Sequence, residues 1–325
     1  MSYGFGAVQK PAILTHLYDF SLNFVGPVSR VPINPMVPFE LLEPRSLREA
    51  AALLDAGEPS SRPVSGGTAV MLMMKLGVLR LTRLVRLRAV EQRYSDISVD
   101  PDGVLHIGAL ATLTALERSP VIRKEAPVIT RTLKTLSNVR VRNVATVGGH
   151  LAHADPHMDL PPVLIALGAR VVIVGPKGER TMPLGELHAG YLETTLGRSE
   201  LIAEVIVPRQ GARRAAYLKC TTRSADDWPA LGVAVVLETN RDNEGAAVDD
   251  ARIVIGAATD TPTRLEKAEA VLRGARVDDA VLRRAGEAAA SEAGVIGDAH
   301  GSAAYKRELL RVYLVRAVKA ALGNP

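Results

Sequence analysis

Two glycine doublets, each following an apolar run, are the parts of this chain best suited to bind a ligand. The first lies in RPVSGGTAV, from Arg62 to Val70, and the second in ATVGGHLAHADPHMDLP, from Ala145 to Pro161. A Gly-Gly pair at the end of a buried strand lets the backbone turn sharply and approach a ligand closely. Its amides, with a neighbouring hydroxyl, can hold phosphate oxygens. Two such loops predict one ligand with two phosphates, which is a dinucleotide.

The first doublet predicts a phosphate cradle made of backbone amides. We expect the amides of Gly66, Gly67 and Thr68, the Thr68 hydroxyl and the helix start at Ala69 to contribute. Taken alone, the first doublet is better explained as an ordinary strand-to-helix turn than as a phosphate-binding loop. The spacing of its glycines matches neither a Walker loop nor the Rossmann fingerprint. The second doublet repeats the design in TVGGH, from Thr146 to His150. Two copies favour phosphate binding.

Acidic and histidine side chains follow the second doublet. Asp159, at the start of a predicted helix, can cap that helix or accept a hydrogen bond from a ribose or ribityl hydroxyl, and both alternatives stay open. The segment HLAHADPHMD also suggests a metal site, because imidazole and carboxylate ligands suit zinc or iron. Only His153 and His157 have a helical spacing, and Pro156 interrupts a helix between them. The histidines are therefore predicted to line a polar loop near a cofactor, and no metal ligands are assigned.

The elements that position the first doublet form a β-loop-α-β unit over about 62–88. A helix precedes it, with Ser46 as N-cap, Glu49 completing a capping box and Gly57 at its end. In the last strand of the unit, LTRLVRLR, basic and apolar residues alternate. That alternation predicts a strand with one solvated face.

The rest of the chain predicts two further groups of elements. A strand pair, YSDISVDPDGVLHIGALAT, turns at the Pro-Asp-Gly of 101–103, and a helical stretch over 113–135 is interrupted by two prolines. The second doublet, a helix and a strand follow. Three strands, AAYLKCTT, ALGVAVVLET and DARIVIGAAT, and two helices near 277–292 and 305–322 complete the chain.

Composition narrows the function classes. The chain has 325 residues, of which 47% are hydrophobic and 23% charged, as expected for a soluble globular protein without a membrane span. Its single cysteine, Cys220, excludes an internal disulfide and a cysteine-ligated iron–sulfur cluster within the chain, and a cytoplasmic location is expected. The net charge of +5 suits an anionic ligand or an acidic partner subunit. Aromatic residues make up only 4%, which disfavours nucleic-acid binding.

At this point the motifs resemble those of a known family. The run SGGTAVMLMMKL resembles the AGGTDLLPLMK type of motif, and RNVATVGGHLAHADPHMDLPPVLIALGARV resembles a TIGGN…DP…D segment. Both are found in the FAD-binding medium subunit of the molybdenum hydroxylases, the group of carbon monoxide dehydrogenase and xanthine dehydrogenase. The likeness runs from about Met36 to Leu322 and includes YLKCTTRSADDWPALGVAVVLE, ATDTPTRLEKAEAVLRG and HGSAAYKRELLRVYLVRAV. The order of all five segments makes it specific.

The resemblance implies an α+β fold. A two-part FAD-binding domain of the vanillyl-alcohol-oxidase (PCMH) type is followed by a C-terminal three-stranded sheet with helices. Residues 1–37 are expected to form an N-terminal extension of unknown role. Residues 38–90 and 91–210 are expected to form the two FAD-binding subdomains, and residues 211–325 the C-terminal domain.

The resemblance also implies which residues contact FAD. The two pyrophosphate loops are Ser65, Gly66, Gly67, Thr68 and Ala69, and Thr146, Val147, Gly148, Gly149 and His150. Asp159 matches an acidic residue near the flavin's sugar chain, Lys219 a basic residue near the flavin, and Ile202 an apolar contact. Tyr191 stands where such subunits often place an aromatic residue by the isoalloxazine ring. His150 replaces the family's usual Asn or Ser and is a residue type that titrates near neutral pH.

The family resemblance implies an electron-transfer role. The organic substrate is hydroxylated at a molybdenum cofactor on a large partner subunit, and electrons cross two [2Fe–2S] clusters on a small partner to FAD in this chain. An external acceptor then receives them, in an assembly expected to be a dimer of heterotrimers. No catalytic acid–base residue is assigned here. One alternative is a stand-alone FAD-dependent reductase of the same fold, which would need its own proton donor. Another is a non-enzymatic nucleotide-binding or nucleic-acid-binding protein.

Overall fold

The computed structural model describes residues 36–55, 60–240 and 247–323. Nearly all of the predicted extension over 1–37 lies outside these residues, as does Gly57, the predicted end of the first helix. The strands of the described part are β1 (Glu40–Leu42), β2 (Ser61–Val64), β3 (Arg83–Arg86), β4 (Ile97–Val99), β5 (Leu105–Gly108), β6 (Arg170–Gly175), β7 (Gly178–Pro183), β8 (His188–Gly190), β9 (Glu193–Thr194), β10 (Leu201–Val207), β11 (Arg214–Cys220), β12 (Leu231–Asn240), β13 (Ala247–Gly256) and β14 (Thr263–Arg264).

Helices connect and cover these strands. Those of the described part are α1 (Leu47–Asp55), α2 (Thr68–Lys75), α3 (Leu113–Arg118), α4 (Pro120–Glu125), α5 (Pro127–Leu133), α6 (Val139–Arg142), α7 (Val147–His153), α8 (Leu160–Ala166), α9 (Glu266–Leu272), α10 (Asp279–Glu292) and α11 (Ala303–Leu322).

A small parallel sheet, with strand order β1-β3-β2, carries the first glycine doublet at the end of β2. Ser46 caps α1, as predicted: its Oγ accepts the Glu49 amide at 3.1 Å. The Glu49 carboxylate, however, accepts the amide of Arg45 rather than that of Ser46. The expectation of one solvated face on β3 is wrong. Leu84 and Val85 are both buried, in different apolar clusters, because β3 is the central strand and is covered on both sides.

The second sheet is antiparallel, with strand order β4-β5-β10-β6-β7. The predicted turn at 101–103 joins β4 to β5, where the Asp100 carboxylate accepts the amides of Asp102 and Val104 at 2.9 Å each. The helical stretch that follows is divided into α3, α4 and α5, with Pro120 and Pro127 as the first residues of the last two helices. Proline is favoured there because its missing N–H has no partner in the first helical turn.

The C-terminal sheet lies between two layers of helices. Alternate residues of β12 face opposite sides, so Val233 and Val235 pack with α10 and α11, whereas Ala234 and Val236 join the apolar cluster that contains α5 and α8. Burial on both faces explains the continuous apolar run that predicted this strand. The sequence predicted three strands here, and the structure adds a fourth, β14, which pairs with β13. Strand β14 has only two residues, which are too few to produce a recognisable strand pattern in the sequence.

Candidate functional site

The first glycine doublet forms the turn from β2 into α2. Gly67 precedes the helix with a φ of 72°, in the left-handed region, which a residue without Cβ adopts readily. The amides in the first turn of a helix have no partners within it, and no side chain caps α2. The amides that begin at Thr68 are therefore available to an anion.

The second doublet is part of a helix and not of a loop, which corrects the sequence interpretation. Thr146 is the N-cap of α7, and its Oγ1 accepts the Gly149 amide at 3.2 Å. The amides of Val147 and Gly148 donate to carbonyls of the adjacent segment, at 3.0 and 2.7 Å. These amides are used inside the protein, because the segment from Ala109 to Leu113 runs directly alongside. The two doublets thus differ in what they can offer a phosphate.

The two doublets meet at a pair of hydroxyls. Ser65 Oγ and Thr146 Oγ1 lie 2.8 Å apart. A Cβ placed on Gly66 would lie 2.2 Å from the carbonyl oxygen of Val144, so only glycine lets the first turn sit this close to the entry of α7. Segments about eighty residues apart in sequence are therefore in direct contact, as one ligand held from two sides would require.

A cavity of about 230 Å³ opens beside this junction. Its lining residues are Ser65, Arg88, Ser95, Leu110, Ala111, Thr112, Ala115, Val144 and Thr146. Arg88 gives the cavity a positive charge, which sequence reasoning missed by treating the basic residues near β3 as a solvated face. The cavity is lined by hydroxyls and a guanidinium, and the amides at the start of α2 lie just after Ser65 in the chain. All three kinds of group are donors that suit a diphosphate. The donor set therefore fits the FAD that the motifs imply.

A buried ion pair joins α8 to the C-terminal sheet. Asp159 accepts from Lys219 Nζ at 2.9 Å and from the Tyr217 hydroxyl at 2.6 Å. The Asp159 and Lys219 side chains are 5% and 7% exposed. Asp159 occupies the N-cap position of α8 without bonding the helix, so the capping alternative is wrong. Burial raises the pKa of Asp159, against the opposing effects of Lys219 and Tyr217. Sequence reasoning found Asp159 and Lys219 but missed Tyr217.

Two further predicted residues lie elsewhere around α7. Tyr191 is in the turn between β8 and β9, and this turn is fastened to the end of α7 because the Leu192 amide donates to Ala154 O at 3.0 Å. Ile202 is buried in β10, at the bulge next to Glu204. Seven residues of helix span about 10 Å, so α7 separates the hydroxyl junction from the Tyr191 turn. Contact of Tyr191 and Ile202 with a flavin stays a prediction.

The histidines around α7 are neutral at physiological pH. Burial, with the nearby His153 and His188 adding to it, lowers the pKa of His150 to about 3. This corrects the expectation that His150 titrates near neutrality. Burial also lowers the pKa of His153 and of His188. Among the residues that the structure describes, His150 Nε2 and His188 Nδ1 are buried without a hydrogen-bond partner. The same part of the chain contains no group of three or more His, Cys, Asp or Glu arranged to hold a metal ion.

Gly149→Ala tests the contact between the two doublets. The added Cβ would lie 2.8 Å from Ser65 Oγ and 3.0 Å from Thr146 Oγ1, so it forces the hydroxyls apart without touching backbone. We expect FAD affinity to fall about tenfold, equivalent to one hydrogen bond to a charged group, with little change in Tm. Flavin fluorescence during titration of the apoprotein measures this. Gly185→Ala is the control, since its Cβ meets only Ile165 Cγ2 at 3.7 Å. Equal affinity in both variants would contradict the prediction.

Comparison with known proteins identifies the family of this chain. The family described as the FAD-binding domain in molybdopterin dehydrogenase matches residues 37–210, and the CO dehydrogenase flavoprotein C-terminal domain matches residues 216–321. The glyceraldehyde dehydrogenase medium chain of Sulfolobus acidocaldarius is 27% identical, covering 86% of this chain and 97% of its own length. The carbon monoxide dehydrogenase medium chain of Hydrogenophaga pseudoflava is 29% identical, with coverage of 88% and 98%.

Solved structures give the same result. The structure of carbon monoxide dehydrogenase from Hydrogenophaga pseudoflava superposes with a TM-score of 0.83 at 31% identity, over 88% of this chain and 98% of the matched one. The chain therefore belongs to the FAD-binding medium subunits of the molybdenum hydroxylases, and it is an oxidoreductase subunit with an α+β fold. No helix in the described ranges is long and apolar enough to cross a membrane.

Proposed function

We propose that this chain is the FAD-carrying electron-transfer subunit of a heterotrimeric molybdenum hydroxylase. In this proposal a large subunit hydroxylates the substrate at its molybdenum cofactor, and a small subunit delivers the electrons through two [2Fe–2S] clusters. The electrons leave this chain for an external acceptor. The observation that carries the proposal is the junction of the two doublets, where Ser65 and Thr146 lie 2.8 Å apart beside a cavity that Arg88 also lines.

Bound FAD would supply the redox chemistry, and the residues of this chain would bind and orient it. At the diphosphate we assign the free amides of the first turn, from Gly66 to Ala69, and the hydroxyls of Ser65 and Thr146. Arg88, on the cavity wall, adds a positive charge. The glycines of α7 let two segments approach: a Cβ on Gly149 would lie 2.8 Å from Ser65 Oγ of the first turn, and a Cβ on Gly148 would lie 2.7 Å from that of Ala109.

Near the sugar chain and ring we assign the remaining predicted residues. These are Asp159, Lys219, Ile202, Tyr191 and the α7 residues Val147, Gly149 and His150. Asp159 and Lys219 form a fixed, buried charge pair that can exchange hydrogen bonds with a hydroxyl. Neutral His150 offers a buried nitrogen rather than a charge. We assign no proton-transfer residue to this chain.

The assembly is also part of the proposal. Medium chains of carbon monoxide and glyceraldehyde dehydrogenases are relatives along nearly their whole length, which supports partnership with a large and a small subunit. We propose a dimer of such heterotrimers in the cytoplasm. The net charge of +5 suits docking onto acidic partner surfaces.

The test has two stages. The absorption spectrum of the purified chain, with mass analysis of the released cofactor, is expected to identify non-covalent FAD at one per chain. Co-expression with the large and small subunits is expected to yield a complex in which substrate reduces the flavin. A chain without flavin after incubation with FAD would refute the cofactor assignment, and a flavin-loaded chain that joins no partners would refute the subunit role.

A further inference from the structure

His157 lies between two carboxylates contributed by different parts of the fold. Its Nδ1 is 2.9 Å from Asp155 Oδ1, and its Nε2 is 2.9 Å from Asp298 Oδ2. A neutral imidazole has one N–H, whereas the imidazolium has two. Only the charged ring can donate to both carboxylates. The side chain is 8% exposed, so water does little to screen these contacts.

Asp298 connects this ring to the start of α11. The carboxylate also accepts from Lys306 Nζ, which in turn donates to the carbonyl of Ala257 at 2.6 Å. Lys306 is fully buried. Asp155, His157, Asp298 and Lys306 thus alternate in charge along one chain of contacts, which we call the clasp and which is buried except at Asp298, whose side chain is 25% exposed. Each charge in the clasp is paired, as burial requires.

The clasp fastens the segment that carries Asp159. The carbonyl of Pro156 accepts the Ala257 amide at 2.8 Å, His157 reaches Asp298, and Asp159 pairs with Lys219. Three residues of this segment therefore contact the residue that follows β13, the connection before α11, and strand β11. The segment joins α7 to α8, so these contacts set the position of Asp159 relative to the C-terminal sheet.

His157 also supports the loop after β11. The ring of Trp228 stacks on that of His157, with centroids 5.4 Å apart and an interplanar angle of 10°. The carbonyl of Asp227, the residue before it, accepts from Lys219 Nζ at 3.1 Å. A cation stacked on an indole face is attracted to it. The loop after β11 is thus held at two neighbouring residues. Trp228 stacks on the ring of His157, and the carbonyl of Asp227 accepts a hydrogen bond from Lys219.

We propose that His157 is a positioning residue of the flavin site. Its ring is hydrogen-bonded to Asp155 and Asp298, and it holds the segment with Asp159 and the loop with Trp228 against the C-terminal sheet. This inference rests on the proposed function, because it assigns the clasp a role in FAD binding. The positioning role accounts for histidine and aspartate residues in the HLAHADPHMD segment without requiring a metal ion. His157 touches no cofactor in this proposal and acts through Asp159 and Lys219.

The protonation of His157 follows its surroundings. Burial lowers the pKa of the ring, but its hydrogen bonds to the two carboxylates outweigh burial, and the pKa of His157 is raised above its ordinary value. The charged and titratable groups that face the ring or its partners are Asp155, Asp298, His300, Lys306, His153 and Asp227. A raised folded-state pKa means that the contribution of the clasp is complete below the ordinary histidine pKa of about 6.5. It is lost as pH rises through the higher folded-state pKa.

The test uses Trp228, the single tryptophan of the chain. A protonated imidazole quenches a stacked indole more strongly than a neutral one, so emission of the full-length protein is expected to rise with pH through the raised pKa of His157. His157→Gln should remove this transition, and Asp298→Asn should move it to lower pH. His300→Gln is the control: its ring lies 6.5 Å from that of Trp228, and its backbone bond to Asp298 is retained. A transition that disappears in His300→Gln instead would overturn the assignment.

FAD affinity, measured across the same pH range, tests the role itself. The wild-type Kd is expected to rise about tenfold through the transition, whereas His157→Gln should have the weaker Kd at every pH. Asp298→Asn keeps the ring and should weaken binding at a lower pH than the wild type. If the wild type binds FAD and His157→Gln matches its Kd and profile, the positioning role is wrong and the proposed function survives. If the wild type binds no FAD, both are wrong.

Discussion

Gly66→Ala is expected to abolish FAD binding. The added Cβ would lie 2.2 Å from Val144 O and 2.7 Å from Ala145 Cα, and both are backbone atoms. Contacts below 3.0 Å to backbone cannot be relieved by rotating a side chain, so β2 and the entry to α7 must separate. That separation breaks the contact between Ser65 and Thr146 and opens the cradle. Loss of several donors to a charged diphosphate, at roughly 1.5–3 kcal/mol each, weakens affinity by more than about a hundredfold.

Flavin content after purification and the Kd for added FAD measure this effect. Gly294→Ala is the control, because a Cβ there meets nothing within 4 Å in the described structure. Circular dichroism and Tm separate a damaged site from an unfolded chain: Gly66→Ala should keep its secondary structure while Tm falls by several degrees. Stoichiometric FAD in Gly66→Ala would show that the two doublets do not form one cradle.

The glycine doublets were recognisable from sequence because the close approach of neighbouring segments there permits only glycine. Their unequal roles were not recognisable. The amides of Val147 and Gly148 are occupied by the carbonyls of Ala111 and Ala109, and that pairing depends on a segment almost forty residues earlier. A local pattern predicts which backbone can approach a ligand. It does not predict which amides remain unpaired once distant segments have packed.

The histidine run illustrates the same limit. Its density suggested a metal site or a polar loop by the cofactor, and spacing argued against the metal. The partners that define His157 are Asp298, which lies 141 residues away in sequence, and the ring of Trp228. Asp298 lies outside the five segments that resemble the family, and the segment that contains Trp228 does not indicate this contact. Likewise, the alternation of residues predicted that β3 is a strand. It did not predict that β3 is the central strand, paired in parallel with β1 on one side and β2 on the other.

Lys219→Met is expected to destabilise the protein by roughly 3–5 kcal/mol, the usual cost of leaving a buried charge without its partner. The side chain bonds Asp159 and also the carbonyls of Thr135 and Asp227, at 2.7 and 3.1 Å. It therefore joins α8, the end of α5 and the loop before β12 at one point. Burial already raises the pKa of Asp159 in the presence of Lys219. Without the ammonium group, that pKa must rise further.

The pH dependence of the stability lost in Lys219→Met identifies the cause of that loss. A carboxyl whose folded-state pKa is raised favours the folded state when protonated, below its unfolded value of about 3.9. That contribution is lost as pH rises through the folded-state pKa. Urea unfolding of the apoprotein should therefore show a larger loss of unfolding free energy for Lys219→Met at pH 8 than at pH 5. Asp159→Asn in the same chain should recover much of the loss and remove its pH dependence, because no buried charge remains.

Lys319→Met provides the matched control. Lys319 pairs with Asp279 at 3.0 Å, but the two side chains are 43% and 75% exposed, so water replaces the lost partner and little change is expected. Flavin content should follow the same order, with Lys219→Met depleted and Lys319→Met full. A uniform loss at pH 5 and pH 8 that Asp159→Asn does not rescue would mean that Lys219 acts through the two carbonyls alone.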